Sequence, residues 1–318
     1  MLVDHLRHHG VTDQEMLAAG VATIASTGRP IDRFRDRVVF PIVHNGLVLG
    51  FVGRRNPRHP DDGKHGPKYL NTGDIPLFHK GDQLYTVDSS GRGRPVLVEG
   101  PIDAIAVTLA TQGAFLGTAP LGTSLTTLQA RQLAALGSQP IIATDADAAG
   151  LAAAKRDYWL LAWLSTSPLF ADLPGDCDPA DLVNSGQAAA LARALQEATP
   201  LGHRLIDDRI LSGQSDDLLE AIRVLAAMPP DSWTAALREV AYSAGVPETL
   251  VRVVLASAVA AWNRDPERAS ALWGIGQRTG VGQGGARRSQ GGQDAAVVGQ
   301  AARDLPLSTE ETRPALEP

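Results

Sequence analysis

Val96-Leu-Val-Glu-Gly-Pro-Ile-Asp103 and Ile141-Ile-Ala-Thr-Asp-Ala-Asp-Ala-Ala-Gly150 decide the fold. Each begins as a short apolar run of buried-strand character and stops abruptly on acidic residues close to a glycine. Helix-periodic segments follow: Asp103 to Gln112 after the first run, and Leu151 to Leu164 after the second. Between them, Ala114 to Leu121 reads as another strand and Ser124 to Leu136 as a helix ending at Gly137. Strands alternating with helices of this length imply βαβ units and a parallel sheet. The expected fold class is therefore α/β here, and α+β over the whole chain.

The flanks read differently. Upstream, Thr12 is placed to cap a short helix from Asp13 to Ala19 that ends near Gly20. Residues 38 to 54 are two β-rich runs joined at His44-Asn45-Gly46, and Asn-Gly between apolar runs is the strongest short hairpin signal. A Pro, Gly and Asp-rich loop over 55 to 76 and a short apolar run over Leu77 to Val87 precede the turn Asp88-Ser-Ser-Gly-Arg-Gly-Arg-Pro95, which suits a domain boundary. Downstream, residues 186 to 270 are Ala/Leu-rich, with Pro229-Pro230 and Gly245-Val-Pro247 separating two or three helices. From Gly274 to Gly292 there are eight glycines, and the polar remainder cannot bury enough apolar surface to offset its chain entropy. The expected division is a small basic subdomain over 1–90, the parallel-sheet domain over 91–185, a helical region over 186–270 and a disordered tail over 271–318.

Composition narrows the function. The single Cys177 excludes an internal disulfide and every zinc pattern that needs paired cysteines, so no zinc is expected. There is no apolar leader and no run of ~18 apolar residues, so a cytoplasmic chain without membrane contact is expected. The net charge of −6 is unevenly spread: residues 29–80 hold ten Lys/Arg against five Asp/Glu, and residues 81–200 hold six against twelve. A basic segment beside an acidic one suits an enzyme that handles a polyanion through bound cations.

The acids supply the cation site. In a parallel α/β sheet, ligands sit beyond the carboxyl ends of the strands, where Glu99 and Asp145 fall. Asp145 and Asp147 are two apart, so on extended backbone they share a face and could grip one cation, or two neighbouring ones, with Glu99 opposite. Hard oxygen donors favour magnesium or manganese. Asp176-Cys-Asp-Pro-Ala-Asp181 follows a third apolar run, Ser167 to Ala171. Taken singly, Asp-x-Asp is more often a helix cap, Glu-Gly a turn, and Asp178-Pro-Ala-Asp181 a helix start with Pro179 in its first turn. Three such clusters after three strands favour a site.

Their order and spacing resemble the Toprim domain. Val96-Leu-Val-Glu-Gly-Pro-Ile-Asp103 is similar to its strand-Glu-Gly motif, Asp145-Ala-Asp147 with Gly150 to its Asp-x-Asp motif, and Asp178-Pro-Ala-Asp181-Leu to the acidic motif that follows in primases. Leu121-Gly-Thr-Ser-Leu-Thr126 resembles the turn opening the intervening helix of DnaG-type primases. Asp32-Arg-Phe-Arg-Asp-Arg-Val-Val-Phe-Pro-Ile42, Gly50-Phe-Val-Gly-Arg54, Pro67-Lys-Tyr-Leu-Asn71 and Phe78-His-Lys-Gly-Asp-Gln-Leu-Tyr85 resemble, in order, the amino-terminal subdomain of that primase core. The resemblance covers roughly residues 1 to 200. It implies a Toprim domain behind a small basic, β-containing subdomain, with a helical appendage after it.

It also implies roles. Glu99, Asp145 and Asp147 would be catalytic; those three with Asp178, Asp103 and Asp181 would line the metal site. Arg37, Arg54, Lys68 and Lys80, with Tyr69 and Asn71, would contact nucleoside triphosphate or template, and Tyr69 could stack a base or simply pack. The implied activity is template-directed synthesis of short RNA primers on single-stranded DNA, with ribonucleoside triphosphates as substrates, magnesium or manganese as cofactor and a replicative helicase as a partner. Two features depart from the pattern. No zinc-binding module precedes Asp32, which suggests a mobile-element enzyme, and Ala180 stands where primases usually carry a second Asp. A Toprim nuclease or topoisomerase-like enzyme would use the same carboxylates to cut phosphodiesters, and a primase-like adaptor would keep the fold to bind DNA or helicase without polymerising.

Overall fold

The computed structural model describes residues 1–59, 65–87, 92–137, 139–144, 148–212 and 215–275. The amino-terminal segment carries α1 (Leu2–His8), α2 (Asp13–Ala18) and a small antiparallel pair, β1 (Ala22–Ile24) with β2 (Pro30–Asp32). α2 starts where expected because Thr12 and Glu15 form a reciprocal capping box, and it stops before Gly20, whose φ of 67° closes the turn. β3 (Arg37–His44) and β4 (Leu47–Arg55) form the expected hairpin, with Asn45 and Gly46 both at positive φ as a two-residue turn requires. β5 (Tyr69–Asn71) completes this three-stranded sheet.

A six-stranded sheet carries the middle of the chain: β6 (Leu84–Thr86), β7 (Arg94–Leu97), β8 (Phe115–Pro120), β9 (Ile141–Ile142), β10 (Leu169–Phe170) and β11 (Thr199–Pro200). Their order is β11-β10-β9-β7-β8-β6. The four inner strands pair in parallel, as the βαβ pattern predicts, and both edge strands are antiparallel. The linking helices are α3 (Pro101–Ala110), α4 (Thr127–Leu136) and α5 (Ala148–Ala162), followed after β10 by α6 (Pro179–Asn184) and α7 (Ala188–Gln196). Gly117 on β8 lets α3 lie close: a Cβ there would fall 1.9 Å from the Ala104 carbonyl oxygen.

Successive strand residues enter opposite cores, the signature of a sheet covered on both faces. Val96, Val98, Ile141 and Leu169 join Val107, Leu182 and Leu191 of the helices, together with Ile42, Val52, Phe78 and Tyr85 from the amino-terminal part. Leu97, Ile142 and Phe170 face the other way, against Leu133, Trp159 and the helices that follow. Those helices are α8 (Leu201–Ser212), α9 (Ser215–Ala227), α10 (Trp233–Ser243), α11 (Glu248–Arg264) and α12 (Pro266–Ile275).

Three expectations change. The stretch 186–270 holds six named helices, α7 to α12, rather than two or three, although the breaks at Pro229-Pro230 and Gly245-Val-Pro247 fall between helices as expected. α12 runs to Ile275, five residues into the stretch expected to lack order, and residues 276–318 lie outside the described residues. β6 and β11 also cross the expected boundaries, since each lends an edge strand to the sheet from a flanking segment. The flanks thus share the sheet's two cores. Among the described residues no helix is long and apolar enough to cross a membrane.

Candidate active site

Beyond the carboxyl ends of β7 and β9 lies a cavity of about 380 Å³. Its wall takes Glu99 and Gly100 from the turn after β7, Asp103 from the first turn of α3, Thr144 from the end of β9, and Asp178 from the start of α6. Thr123 and Ser124 come from the loop after β8, and Lys68 and Tyr69 from the antiparallel sheet. Five candidates from distant segments, Glu99, Asp103, Asp178, Lys68 and Tyr69, therefore meet on one surface. Asp145 and Asp147, between Thr144 and α5, lie outside the described residues. Among the described residues no three His, Cys, Asp or Glu side chains converge tightly enough to hold a metal ion by themselves.

The Glu-Gly turn has a steric basis. A Cβ on Gly100 would lie 2.9 Å from the Tyr69 hydroxyl and 3.1 Å from a carboxylate oxygen of Asp103, so glycine lets both reach the turn. The Tyr69 hydroxyl is pushed up to about 12, first by burial and then by the nearby Asp103 charge. Its ring carries the Arg54 guanidinium 4.9 Å from the centroid. Tyr69 is partly buried, packs against the core beneath the sheet and also lines the cavity.

Asp178 serves two purposes at once. Its side chain accepts from the Asp181 backbone N–H at 2.7 Å, capping α6 with Pro179 in the first turn, and it also faces the cavity. Asp181 is exposed and absent from the cavity wall. Lys80 is outside it too; its carbonyl accepts from the buried Gln129 side chain at 3.0 Å, which with Thr126 and Gln132 straps residues 80–84 to the start of α4. Asn71 donates to the Leu121 carbonyl at 2.6 Å, so it positions the loop after β8 rather than lining the cavity.

Two residues on the wall were not singled out by motif. Arg156 and Asp157 reach it from α5. Asp157 is only 7% exposed and receives no hydrogen bond among the described residues. Burial lifts its carboxyl to about 7, with the adjacent Arg156 charge pulling the other way. The available signal was positional: Ala154, Asp157, Tyr158 and Leu161 share the buried face of α5, and an acid on such a face is exceptional.

Beside the hairpin lies a second pocket of about 450 Å³, lined by Arg33, Arg35, Arg37, Arg55, His59 and His65, with Asp36. Arg37 donates to the carbonyls of Gly53 at 3.0 Å, Lys68 at 3.4 Å and His65 at 3.1 Å. Arg33 donates twice to Asn71 and Arg55 once to Gly66, also to carbonyls. His59 pairs with Asp36 and stacks on His65 with centroids 4.0 Å apart. Here guanidinium groups hold the backbone while keeping positive charge on the rim.

Comparisons with known proteins follow the same division. Residues 1–90 match the family described as DNA primase catalytic core, N-terminal domain, and residues 96–183 match the Toprim-like family. The chain is 38% identical over 198 residues to a DNA primase of Deinococcus radiodurans, covering 59% of this chain and 33% of that protein. It thus spans about a third of the length of the curated relatives it matches. Among solved structures, the RNA polymerase domain of Mycobacterium tuberculosis primase DnaG superposes with a TM-score of 0.64 at 28% identity, over 76% of this chain and 81% of that one. A DnaG primase catalytic domain bound to single-stranded DNA superposes with a TM-score of 0.62 at 27% identity, over 77% and 80%.

Proposed function

With residues 1–183 carrying the two halves of a DnaG-type primase catalytic core, we propose that the chain synthesises short RNA primers on single-stranded DNA by nucleotidyl transfer. One observation carries this reading: Glu99, Asp103 and Asp178 from the sheet domain and Lys68 from the basic subdomain, far apart in sequence, line one cavity at the strand ends. The donor set there is all oxygen, which fits a hard divalent cation such as magnesium or manganese.

Glu99 and Asp178, with Asp145 and Asp147, are the residues that would hold it. When bound there, the cation would supply the positive charge that an attacking hydroxyl and a departing pyrophosphate require. Lys68 and Arg156, both exposed on the cavity rim, hold the triphosphate by charge. Arg54, fixed over the Tyr69 ring, adds its positive charge behind the cavity wall that Tyr69 lines. The template runs along the basic pocket, where Arg35 offers its charge outward and the remaining arginines keep the surface rigid. A 3′ hydroxyl then attacks the α-phosphate of the incoming ribonucleotide, and positioning and electrostatics supply most of the rate.

The test is to incubate the purified chain with single-stranded DNA, labelled ribonucleoside triphosphates and magnesium or manganese, beside Asp145→Ala. Products that lengthen only with the unsubstituted chain support priming. Cutting of the template would move the assignment to a Toprim nuclease, and DNA binding with neither synthesis nor cutting would make the chain an adaptor.

A further inference from the structure

Asp157 is a carboxylate in the cavity that neither the motifs nor the packing of α5 requires. It is more than nine-tenths buried, it lines the cavity, and among the described residues no hydrogen bond reaches it. A buried acid in that condition is costly unless a cation or a donor meets it. Ala153, one turn earlier on the same wall, is too small to screen it from the cavity.

The charges on the wall indicate what meets it. The described lining residues hold four acids, Glu99, Asp103, Asp157 and Asp178, against two cations, Lys68 and Arg156. Acids thus outnumber cations on this wall, which favours a cation as the group that meets Asp157. Asp157 adds to the wall an oxygen donor from α5, a helix other than α3 and α6, which bring Asp103 and Asp178.

We propose that Asp157 is a further binding residue for the divalent cation of this cavity, acting on the ion directly or through one of its waters, so that the site extends onto α5. This rests on the cation reading of the cavity given above.

Manganese binding to the full chain, measured by calorimetry and by loss of the free-ion paramagnetic resonance signal, separates the two. Asp157→Asn, which keeps the shape, and Asp157→Ala are compared with Glu99→Gln, each with melting curves taken with and without manganese. The expected result is about tenfold or more weaker manganese binding in both Asp157 variants. Metal-free Asp157→Asn should melt at or above the parent, and manganese should raise its melting temperature less than the parent's. If both Asp157 variants bind manganese as the parent does while Glu99→Gln loses it, the proposal is wrong and the cation cavity stands. Unchanged binding in all three variants would overturn the cation reading itself, and the proposal with it. A metal-free Asp157→Asn chain that melts well below the parent would show the carboxylate to be a structural acceptor, which also overturns the proposal.

Discussion

In the basic pocket the Arg37 guanidinium donates to three backbone carbonyls, whereas in the acidic cavity Asp157 accepts nothing among the described residues. Both regions crowd like charges, and both bind polyanion chemistry in the proposed function. The basic pocket spends most of its charged groups on holding its own loops, so its positive field is a by-product of structural clamps. The cavity gathers four acids on one wall, and Asp157 among them meets no donor within the described residues. Removing a charge from the cavity should therefore damage chemistry more than stability, and removing one from the pocket should do the reverse.

The sharpest way to break that contrast is Glu99→Gln. Glu99 is exposed on the cavity wall, so the amide costs the fold little and the melting temperature should stay within about 2 °C of the parent. Primer synthesis should fall by roughly a thousandfold, the scale of losing a preorganised charge at the reacting centre. A large loss of stability beside a small loss of synthesis would mean the cavity acids are as structural as the pocket arginines.

Asp157 sharpens it through pH. Its carboxyl is held near 7 in the folded chain, against an ordinary value near 4 when unfolded. Between those values the folded chain retains a proton that the unfolded chain has released, so stability falls as pH rises through this window and stays low above it. The full effect is about 4 kcal/mol at most. Asp157→Asn does not titrate, so its melting temperature should overtake the parent's progressively from pH 5 to pH 8 in metal-free buffer. Parallel curves for the two proteins would show that Asp157 is charged throughout and solvated or paired.

Much of this division was legible in the sequence, and what was not has identifiable causes. Asn45-Gly46 gave the hairpin because its turn demands positive φ at both positions. The parallel order followed from helix-strand alternation, and Asp178 could be read as a cap because Pro179 follows it. Strands β6 and β11 escaped because three and two residues are too few to show a period. The flanking boundaries blurred for a related reason: Val96 and Leu97 enter different cores, and pattern alone does not say what covers either face. The clamp made by Arg37 is invisible in the sequence because its three carbonyl acceptors come from residues 16 to 31 positions away. Asp157 lies outside every motif, and only the buried face of α5 marks it.

Arg37→Met tests the pocket's side of the contrast. The stem is kept and the fork is lost, leaving the Gly53, Lys68 and His65 carbonyls short of a donor. The expected cost is about 2 to 3 kcal/mol, because the group is partly buried and some of those carbonyls can regain water. Thermal melts should show a fall of roughly 5 °C or more. Single-stranded DNA binding measured well below the new melting point should weaken only modestly. A chain as stable as the parent would mean these hydrogen bonds are dispensable and Arg37 belongs with the ligand-facing charges.

Arg35, two residues earlier on the same pocket, is the converse and the smallest effect. It is exposed and makes no hydrogen bond among the described residues, so its charge is available to a phosphate. Arg35→Ala should leave the melting temperature unchanged within about 1 °C. It should weaken binding to single-stranded DNA by about three- to tenfold in low salt. The slope of log Kd against log salt should fall by about 0.7, the counterion release expected for one phosphate contact on a single strand. The slope is the discriminating quantity: a weaker Kd with an unchanged slope would mean Arg35 shapes the pocket as Arg37 does, whereas a reduced slope at full stability separates, two positions apart at the start of β3, the arginine that holds the protein from the one that holds the template.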